Sequence, residues 1–137
     1  MSVYALDTNT ISFFIKENKC VVDNFFRVLE DGHSLIIPPI AYYEVRRGLL
    51  KKDARKQTEA FNDFCKTIPI GEITIAMLDE AAEIHAGNRG LKRTIGDADT
   101  LIAAFCIVSN YTLVTNNTKH FTDIEGISLV DWTQEQL

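Results

Sequence analysis

Short apolar runs of strand type alternate with longer stretches of helical spacing along this 137-residue chain. The strand-like runs lie at residues 3–6, 35–37, 112–115 and 127–130, with a weaker one at 69–70. Such alternation is typical of proteins in which helices cover both faces of a parallel sheet. The sequence therefore predicts a single α/β domain over residues 1–137, with a central, mostly parallel sheet of four or five short strands.

Helical spacing fills the segments between the strands. The predicted helices lie at residues 8–18, 21–30, 39–50, 53–66, 75–86 and 97–108. In the second of them, the spacing places four apolar side chains on the core side, namely Val22, Phe25, Phe26 and Leu29. Residues 87–96 are expected to form a flexible basic turn, and residues 116–121 a loop with a short turn.

The composition, with 46% hydrophobic and 24% charged residues, is that of an ordinary globular protein. The longest apolar run, residues 101–108, is far shorter than the roughly 20 residues that cross a bilayer. No signal-peptide pattern is seen at the start. We therefore expect a cytoplasmic protein without membrane segments. Its three cysteines, Cys20, Cys65 and Cys106, are widely spaced, which favours reduced core residues over disulfides.

Asp7 stands where the first strand passes into the first helix, followed by Thr8, Asn9 and Thr10. Ligand sites of open α/β sheets form beyond the carboxyl ends of the strands, so Asp7 is a candidate metal ligand. The alternative is an ordinary helix N-cap that accepts a backbone N–H. The residues around Asp7 do not decide between these two roles.

Glu44 lies within the predicted helix at residues 39–50, on one ridge with Ile40 and Gly48. A carboxylate on that ridge needs a partner. Glu44 could belong to a functional site, or it could form a surface ion pair with Arg47 or Lys51 on the same helix.

Asp99 follows the helical pattern of Ile102, Ala103 and Cys106 in a nearly all-apolar helix. A buried carboxylate is costly unless it is paired or coordinated. Asp97, which follows Gly96, can cap this helix, so Asp99 is not needed for that role. The pattern favours a functional role for Asp99 and a structural one for Asp97.

Asn117 comes directly after a strand end and is the fourth candidate. Its amide oxygen could act as a ligand, or its side chain could hold a metal-bound water. Its alternative is simple turn chemistry, which Asn-Asn pairs favour. His120, in the same loop, is a less attractive catalytic base because an isolated loop histidine is usually a surface residue.

Carboxylates gathered in one place repel each other unless a cation lies between them. Mg²⁺, or alternatively Mn²⁺, suits such a set of oxygen ligands and can activate water against a phosphodiester. The chain has no zinc-type Cys or His pair, no phosphate-binding glycine loop and no serine-hydrolase elbow. The net charge of −5 argues against nucleic-acid binding, but a bound cation and the basic stretch from Arg46 to Lys56 weaken that objection.

With these residues in place, the chain resembles PIN-domain ribonucleases, in particular the VapC-type toxins of bacterial toxin–antitoxin pairs. The resemblance covers nearly the whole chain and is carried by Leu6-Asp7-Thr8-Asn9, Tyr43-Glu44-Val45-Arg46-Arg47-Gly48, the segments 95–104 and 113–121, and Val130-Asp131-Trp132. Each motif is moderately specific, and together they occur in the order expected of the family.

The resemblance implies a PIN-like fold and a Mg²⁺-dependent endoribonuclease. By position, Asp7, Glu44, Asp99 and Asn117 match the family's catalytic site, with Asp7 and Asp99 as the direct metal ligands. Many members have Asp where this chain has Asn117, which places a second metal in doubt. Asp97 falls where the family varies. The family also implies a homodimer, a VapB-like antitoxin, operator DNA bound through that antitoxin, and RNA substrates that include tRNA.

Two other functions stay open from the sequence. One is a metal-dependent nuclease that acts on DNA. The other is a binding module that has kept the fold and lost catalysis, which the amide at position 117 would permit.

Overall fold

The computed structural model describes residues 1–134 and contains a sheet of four parallel strands. The strands are β1 (Val3–Leu6), β2 (Ser34–Ile36), β3 (Thr112–Val114) and β4 (Ser128–Val130). Their order is β2-β1-β3-β4, with Ala5 of the central β1 aligned with Ile36 on one side and Leu113 on the other. The predicted α/β class with a parallel sheet is therefore confirmed.

Both faces of the sheet are covered. Ala5 and Leu6 follow each other in β1 and are both inaccessible to solvent, as are Leu113 and Val114 in β3. Consecutive side chains of a strand point to opposite faces, so neither face of the central strands is open to water. The helices are α1 (Thr8–Ile15), α2 (Lys19–Glu30), α3 (Pro39–Lys52), α4 (Arg55–Thr67), α5 (Ile75–His85), α6 (Asp97–Ser109) and α7 (Thr118–Phe121).

The weak fifth strand predicted at residues 69–70 is reduced to a single parallel bridge between Ile37 and Ile70. Two backbone hydrogen bonds hold it: the Ile37 N–H donates to the Pro69 carbonyl at 2.9 Å, and the Gly71 N–H donates to the Ile37 carbonyl at 2.8 Å. The segment thus borders β2 without extending the regular sheet.

Two helix boundaries differ from the prediction because a residue adopts the left-handed conformation. Glu17 has a φ of 63°, so α1 ends at Ile15 instead of residue 18. Asp53 has a φ of 51°, so α3 continues to Lys52 and the next helix begins at Arg55 instead of residue 53. The strand and helix pattern cannot locate such turns because they depend on backbone geometry outside the elements.

Asn18, predicted to end the first helix, instead begins the second: its side-chain oxygen accepts the Val21 N–H at 3.1 Å. We expect Asn18→Ala to lower the free energy of unfolding by about 1 kcal/mol, since alanine cannot accept that N–H. Urea denaturation checks the prediction, and Asn18→Asp, which keeps an accepting oxygen, serves as the control. An unchanged midpoint in Asn18→Ala would show that the cap contributes nothing.

The inward face of α2 also differs from the prediction. Phe26 is 51% exposed and Leu29 is 39% exposed, so their placement in the core was wrong. Asn24 lies inward instead, because its amide donates to the carbonyls of Cys20 and Trp132 at 2.9 and 3.0 Å. These hydrogen bonds satisfy the amide group, so the polar side chain can be buried.

The three cysteines are free, and Cys106 is buried in the core. Burial raises the pKa of the Cys106 thiol, and the nearby charge of Asp7 adds to this effect, so the thiol stays protonated. Within residues 1–134, no helix combines the length and the apolar character needed to span a bilayer.

Candidate active site

A cleft of about 190 Å³ opens beyond the carboxyl end of β1 and collects the three predicted acids. Asp7, Glu44 and Asp99 all line it, together with Thr8 and Asn9. These acids come from the end of β1, the middle of α3 and the first turn of α6. Residues separated by up to 92 positions along the sequence thus meet at one place.

Asp7 is the buried acid of the cleft, with 8% of its surface exposed. Its carboxylate caps α1 by accepting the Thr10 N–H at 2.8 Å, and the Thr115 hydroxyl also donates to it. The Thr10 hydroxyl in turn donates to the Val114 carbonyl at 3.0 Å, which ties α1 to β3. Asp7 therefore does cap its helix, and this role leaves it at the edge of the cleft.

Burial raises the pKa of Asp7 above its ordinary 3.8. The hydrogen bonds from Thr115 and Thr10 act in the opposite direction but do not cancel the effect of burial, and the charge of Asp99 raises the pKa further. Ionisation of Asp7 in the folded chain is therefore unfavourable. A cation beside the carboxylate would offset that cost.

Glu44 contacts Arg47, one of the two partners that its helix suggested, and it has a shorter contact that the sequence did not suggest. The Thr8 hydroxyl donates to its Oε1 at 2.7 Å, whereas Arg47 reaches Oε2 only at 3.5 Å. The Glu44 side chain is 19% exposed and the Arg47 side chain is 58% exposed. Thr8 directly follows Asp7, so one strand end positions two of the three acids. Sequence reasoning assigned no role to Thr8 in the site.

Asp99 is half-exposed, so the expectation of a buried carboxylate was wrong. Its ridge is buried only from the next turn onward, at Ile102, Ala103 and Cys106. The predicted cap was also wrong: Gly96 occupies the N-cap position, and Asp97 is the first helical residue, exposed and beside a different groove with His85. The argument from buried charge thus applies to Asp7 and not to Asp99.

His120 contacts Asp99, with 3.0 Å between its Nε2 and the Asp99 Oδ2. From the sequence, His120 is a less attractive candidate because an isolated loop histidine is usually a surface residue. The signal that could have identified it is the spacing of Asn117 and His120, three residues apart after a strand end, which fits one helical turn. That turn exists as α7, and it directs His120 toward the cleft.

Asn117 lies at the N-terminus of α7 with an exposed side chain and does not line the cleft. Its backbone N–H donates to the Thr115 hydroxyl at 3.1 Å, so it supports the same threonine that holds Asp7. Its neighbour Asn116 reaches the edge of the cleft, because its Oδ1 accepts from the Nδ2 of Asn9, which lines the cleft, at 3.5 Å. A role for Asn117 in water or substrate positioning stays a prediction.

The number of acids that lie close together decides which divalent cation the cleft suits. Among residues 1–134, no three His, Cys, Asp or Glu side chains lie close enough together to enclose a metal ion. Mg²⁺ does not require such a cage, because it commonly takes one or two carboxylates and fills its other positions with waters and phosphate oxygens. Asp7 and Asp99, which border one cleft and repel each other, fit that requirement.

Three comparisons with known proteins give one answer. The PIN domain family model matches residues 4–127. Ribonuclease VapC2 of Rickettsia felis is 28% identical over 131 residues, covering 95% of this chain and 98% of the relative. The tRNA(fMet)-specific endonuclease VapC of Shigella flexneri is 27% identical over 134 residues, covering 97% of this chain and 100% of the relative.

The fold is likewise similar to a solved structure, that of VapBC2 from Rickettsia felis bound to a DNA fragment from its promoter. The TM-score is 0.86 at 26% sequence identity, and the alignment covers 95% of this chain and 98% of the other. The sequence and the fold thus point to the same group of proteins over almost the full length of the described chain.

Proposed function

Because the chain belongs to the PIN domain family, we propose that it is an endoribonuclease and the toxin of a toxin–antitoxin pair. It hydrolyses phosphodiester bonds in RNA, with tRNA as a substrate, and so arrests translation and growth. The observation that carries the proposal is the meeting of Asp7, Glu44 and Asp99 in one cleft at the end of the central strand. Relatives named as ribonucleases over the full length of the chain support it.

The proposed reaction depends on a divalent cation, Mg²⁺ or alternatively Mn²⁺. Asp7 and Asp99 would hold it, since both border the cleft and their mutual repulsion falls when a cation lies between them. When bound, the cation supplies an activated water and positive charge against the phosphate. Glu44, held by Thr8, faces the same space and orients the water or the cation.

The residues that line the cleft also argue against covalent catalysis by a cysteine. No cysteine lines the cleft, and the Cys106 thiol stays protonated in the core, so a covalent thiol mechanism has no nucleophile there. Three carboxylates, the Thr8 hydroxyl and the Asn9 amide form the polar wall of the cleft. Direct hydrolysis by water suits this set of groups better than covalent catalysis does.

A VapB-like antitoxin is the proposed partner. The solved structures similar to this chain include VapBC2 of Rickettsia felis on a promoter DNA fragment, DNA-bound VapBC of Salmonella typhimurium and a toxin–antitoxin complex of Klebsiella pneumoniae. By analogy, this chain would contact operator DNA only through its antitoxin, and two copies would pair as a homodimer. Co-expression with the product of a small neighbouring gene, followed by copurification, tests this part of the proposal.

A second groove continues from the acids along α1 and α3 and offers a path for the RNA backbone. It shares Thr8 and Glu44 with the cleft and is lined further on by Lys16 and Lys52. Two lysines beyond an acidic site suit a strand whose scissile phosphate lies at the acids and whose next phosphates lie along the groove.

We expect Lys52→Ala to raise KM for RNA several-fold with little change in kcat. The loss of one phosphate contact should also reduce the slope of log KM against log salt by about 0.7. Initial rates at a series of salt concentrations check this, with Lys66→Ala as the control because Lys66 pairs with Asp63 on α4, outside the groove. Equal salt slopes in both variants would show that RNA does not follow this groove.

The experiment that tests the function compares substrates under one condition. The purified chain is incubated with tRNA, single-stranded RNA and DNA of matching sequence, each with and without Mg²⁺. We expect RNA to be cut only with Mg²⁺, and chelation to stop the reaction. Cleavage of DNA alone would assign a DNA nuclease, and retention of RNA without cleavage would assign a binding module. Either result contradicts the proposal.

A further inference from the structure

Asp99 is held by a contact that neither the family match nor the sequence assigns. His120 lies 3.0 Å from one oxygen of Asp99, and the two side chains are 31% and 40% exposed. A half-exposed aspartate at the first turn of a helix is free to rotate unless something fixes it. The His120 ring is the group that does so on this side of the cleft.

His120 can perform this role in either protonation state. Nε2 lies 3.0 Å from Oδ2 and carries a proton both in the imidazolium and in one tautomer of the neutral ring, so the contact is attractive in both forms. With Oδ2 engaged by His120, the other oxygen of Asp99 is left for a cation in the cleft. Histidine donating to a carboxylate ligand is the kind of outer contact that sets ligand orientation in metal sites.

The helix that presents His120 is too short to be stable alone. α7 has four residues, and an isolated helix of that length does not form in water. Two local contacts help it: Phe121 is buried, and the Thr122 hydroxyl donates to the Thr118 carbonyl at 2.7 Å. The position of His120 therefore depends on what else holds this turn.

Arg93 supplies that support from the basic turn between α5 and α6. Its Nη2 donates to the carbonyls of Lys119 and His120 at 3.1 and 2.6 Å, and its Nη1 contacts the Asp123 carboxylate at 3.0 Å. One planar guanidinium thus satisfies two terminal carbonyls of α7 and pairs with the next loop. The turn at residues 87–96 is thereby connected to the cleft through α7.

We propose that Arg93 and His120 are positioning residues that set the orientation of Asp99, with Arg93 acting through α7 and His120 through its 3.0 Å contact with the carboxylate. This inference rests on the proposed function, because it assigns a purpose to Asp99. Both side chains are partly exposed, and surface ion pairs of this kind add little to folding stability. Their removal should therefore affect the site far more than the fold.

The test uses the full chain with four substitutions: His120→Ala, His120→Gln, Arg93→Ala and Lys92→Ala. We expect His120→Ala to lower kcat and to weaken Mn²⁺ binding, measured by calorimetry, each by about 10–100-fold. Glutamine offers an N–H at nearly the same distance along the side chain, so His120→Gln should recover most of both losses. Arg93→Ala should give a smaller loss of the same kind, because α7 keeps its buried Phe121.

Lys92→Ala is the matched control. It removes a positive charge from the same turn, but Lys92 Nζ donates to the Gly87 carbonyl and contacts neither α7 nor Asp99. We expect unchanged kcat and Mn²⁺ affinity. All four variants should unfold thermally within a few degrees of the parent chain, which separates positioning from loss of structure.

Three outcomes would overturn the inference: wild-type kcat and Mn²⁺ affinity in His120→Ala, no recovery in His120→Gln, or equal losses in Lys92→Ala and Arg93→Ala. Failure of the proposed function looks different. In that case the parent chain cuts no RNA, while Mn²⁺ titration still compares the parent with His120→Ala and decides whether His120 orients Asp99.

Discussion

Asp99→Asn is expected to abolish RNA cleavage while leaving the fold intact. The substitution keeps the size of the side chain but removes the charge that would hold a divalent cation in the cleft. Loss of a charge interaction worth ~3 kcal/mol in the transition state lowers the rate by about two orders of magnitude. Single-turnover cleavage of tRNA with added Mg²⁺ measures this loss directly.

The fold should tolerate this change because Asp99 is half-exposed and its side chain contacts the partly exposed ring of His120. Circular dichroism and thermal unfolding check that expectation. Asp97→Asn is the informative comparison: it removes the same charge from the same helix turn, but from an exposed side chain beside His85 in a different groove. We expect a much smaller loss there. Full activity in Asp99→Asn would disprove the proposed site.

The sheet was predictable because its pattern is local. Four apolar runs separated by helical segments predict parallel strands without any knowledge of which strands pair. The four observed strands begin and end within two residues of the predicted positions. The ends of α1 and α3 were not predictable, since a left-handed Glu17 or Asp53 leaves no trace in hydrophobic spacing. Asn24 likewise lies inward because its amide reaches Trp132, 108 residues away.

The sequence predicted which acids belong to the candidate site better than it predicted their burial and contacts. The strand layout brought Asp7 and Asp99 to one edge of the sheet, where the structure places both. The burial expected of Asp99 was wrong, and the buried acid is Asp7. A helical ridge shows which residues share a face, but it does not show how far along that ridge the neighbouring elements extend. The contact between His120 and Asp99 depends on α7, whose position is fixed by Arg93 from another loop.

Asp7→Asn should abolish cleavage and, in the absence of metal, stabilise the fold. Asparagine keeps an oxygen to accept the Thr10 N–H and is about as good an N-cap as aspartate. It removes a carboxylate whose ionisation is disfavoured by burial and by the charge of Asp99. If Asp7 served only as a helix cap, the variant would keep its cleavage activity, so this substitution separates the two roles that the sequence left open.

The pH dependence follows from the raised pKa of Asp7 in the folded chain. Below pH 3.8, Asp7 is protonated in both the folded and the unfolded chain, and its contribution to stability is fully present. As the pH rises through the folded pKa, the unfolded chain loses this proton more readily, so the parent chain loses stability that Asp7→Asn keeps. The stability difference between the two should therefore grow with pH until Asp7 is ionised in the folded chain as well. Thermal denaturation without metal, repeated over a series of pH values, should show the Tm of the variant rising above that of the parent chain.

Addition of Mg²⁺ should reverse the order of the two proteins. A cation that binds the folded parent chain and not the unfolded one stabilises it by mass action, whereas Asp7→Asn has lost a proposed ligand and should respond weakly. Asp63→Asn, at an exposed carboxylate paired with Lys66, controls for the change in net charge and should follow the parent chain in both conditions. A contradicting result would be a metal-free Asp7→Asn variant that is less stable than the parent chain at neutral pH. It would mean that the ionised carboxylate of Asp7 stabilises the fold, so a bound cation would not be needed to offset an unfavourable charge.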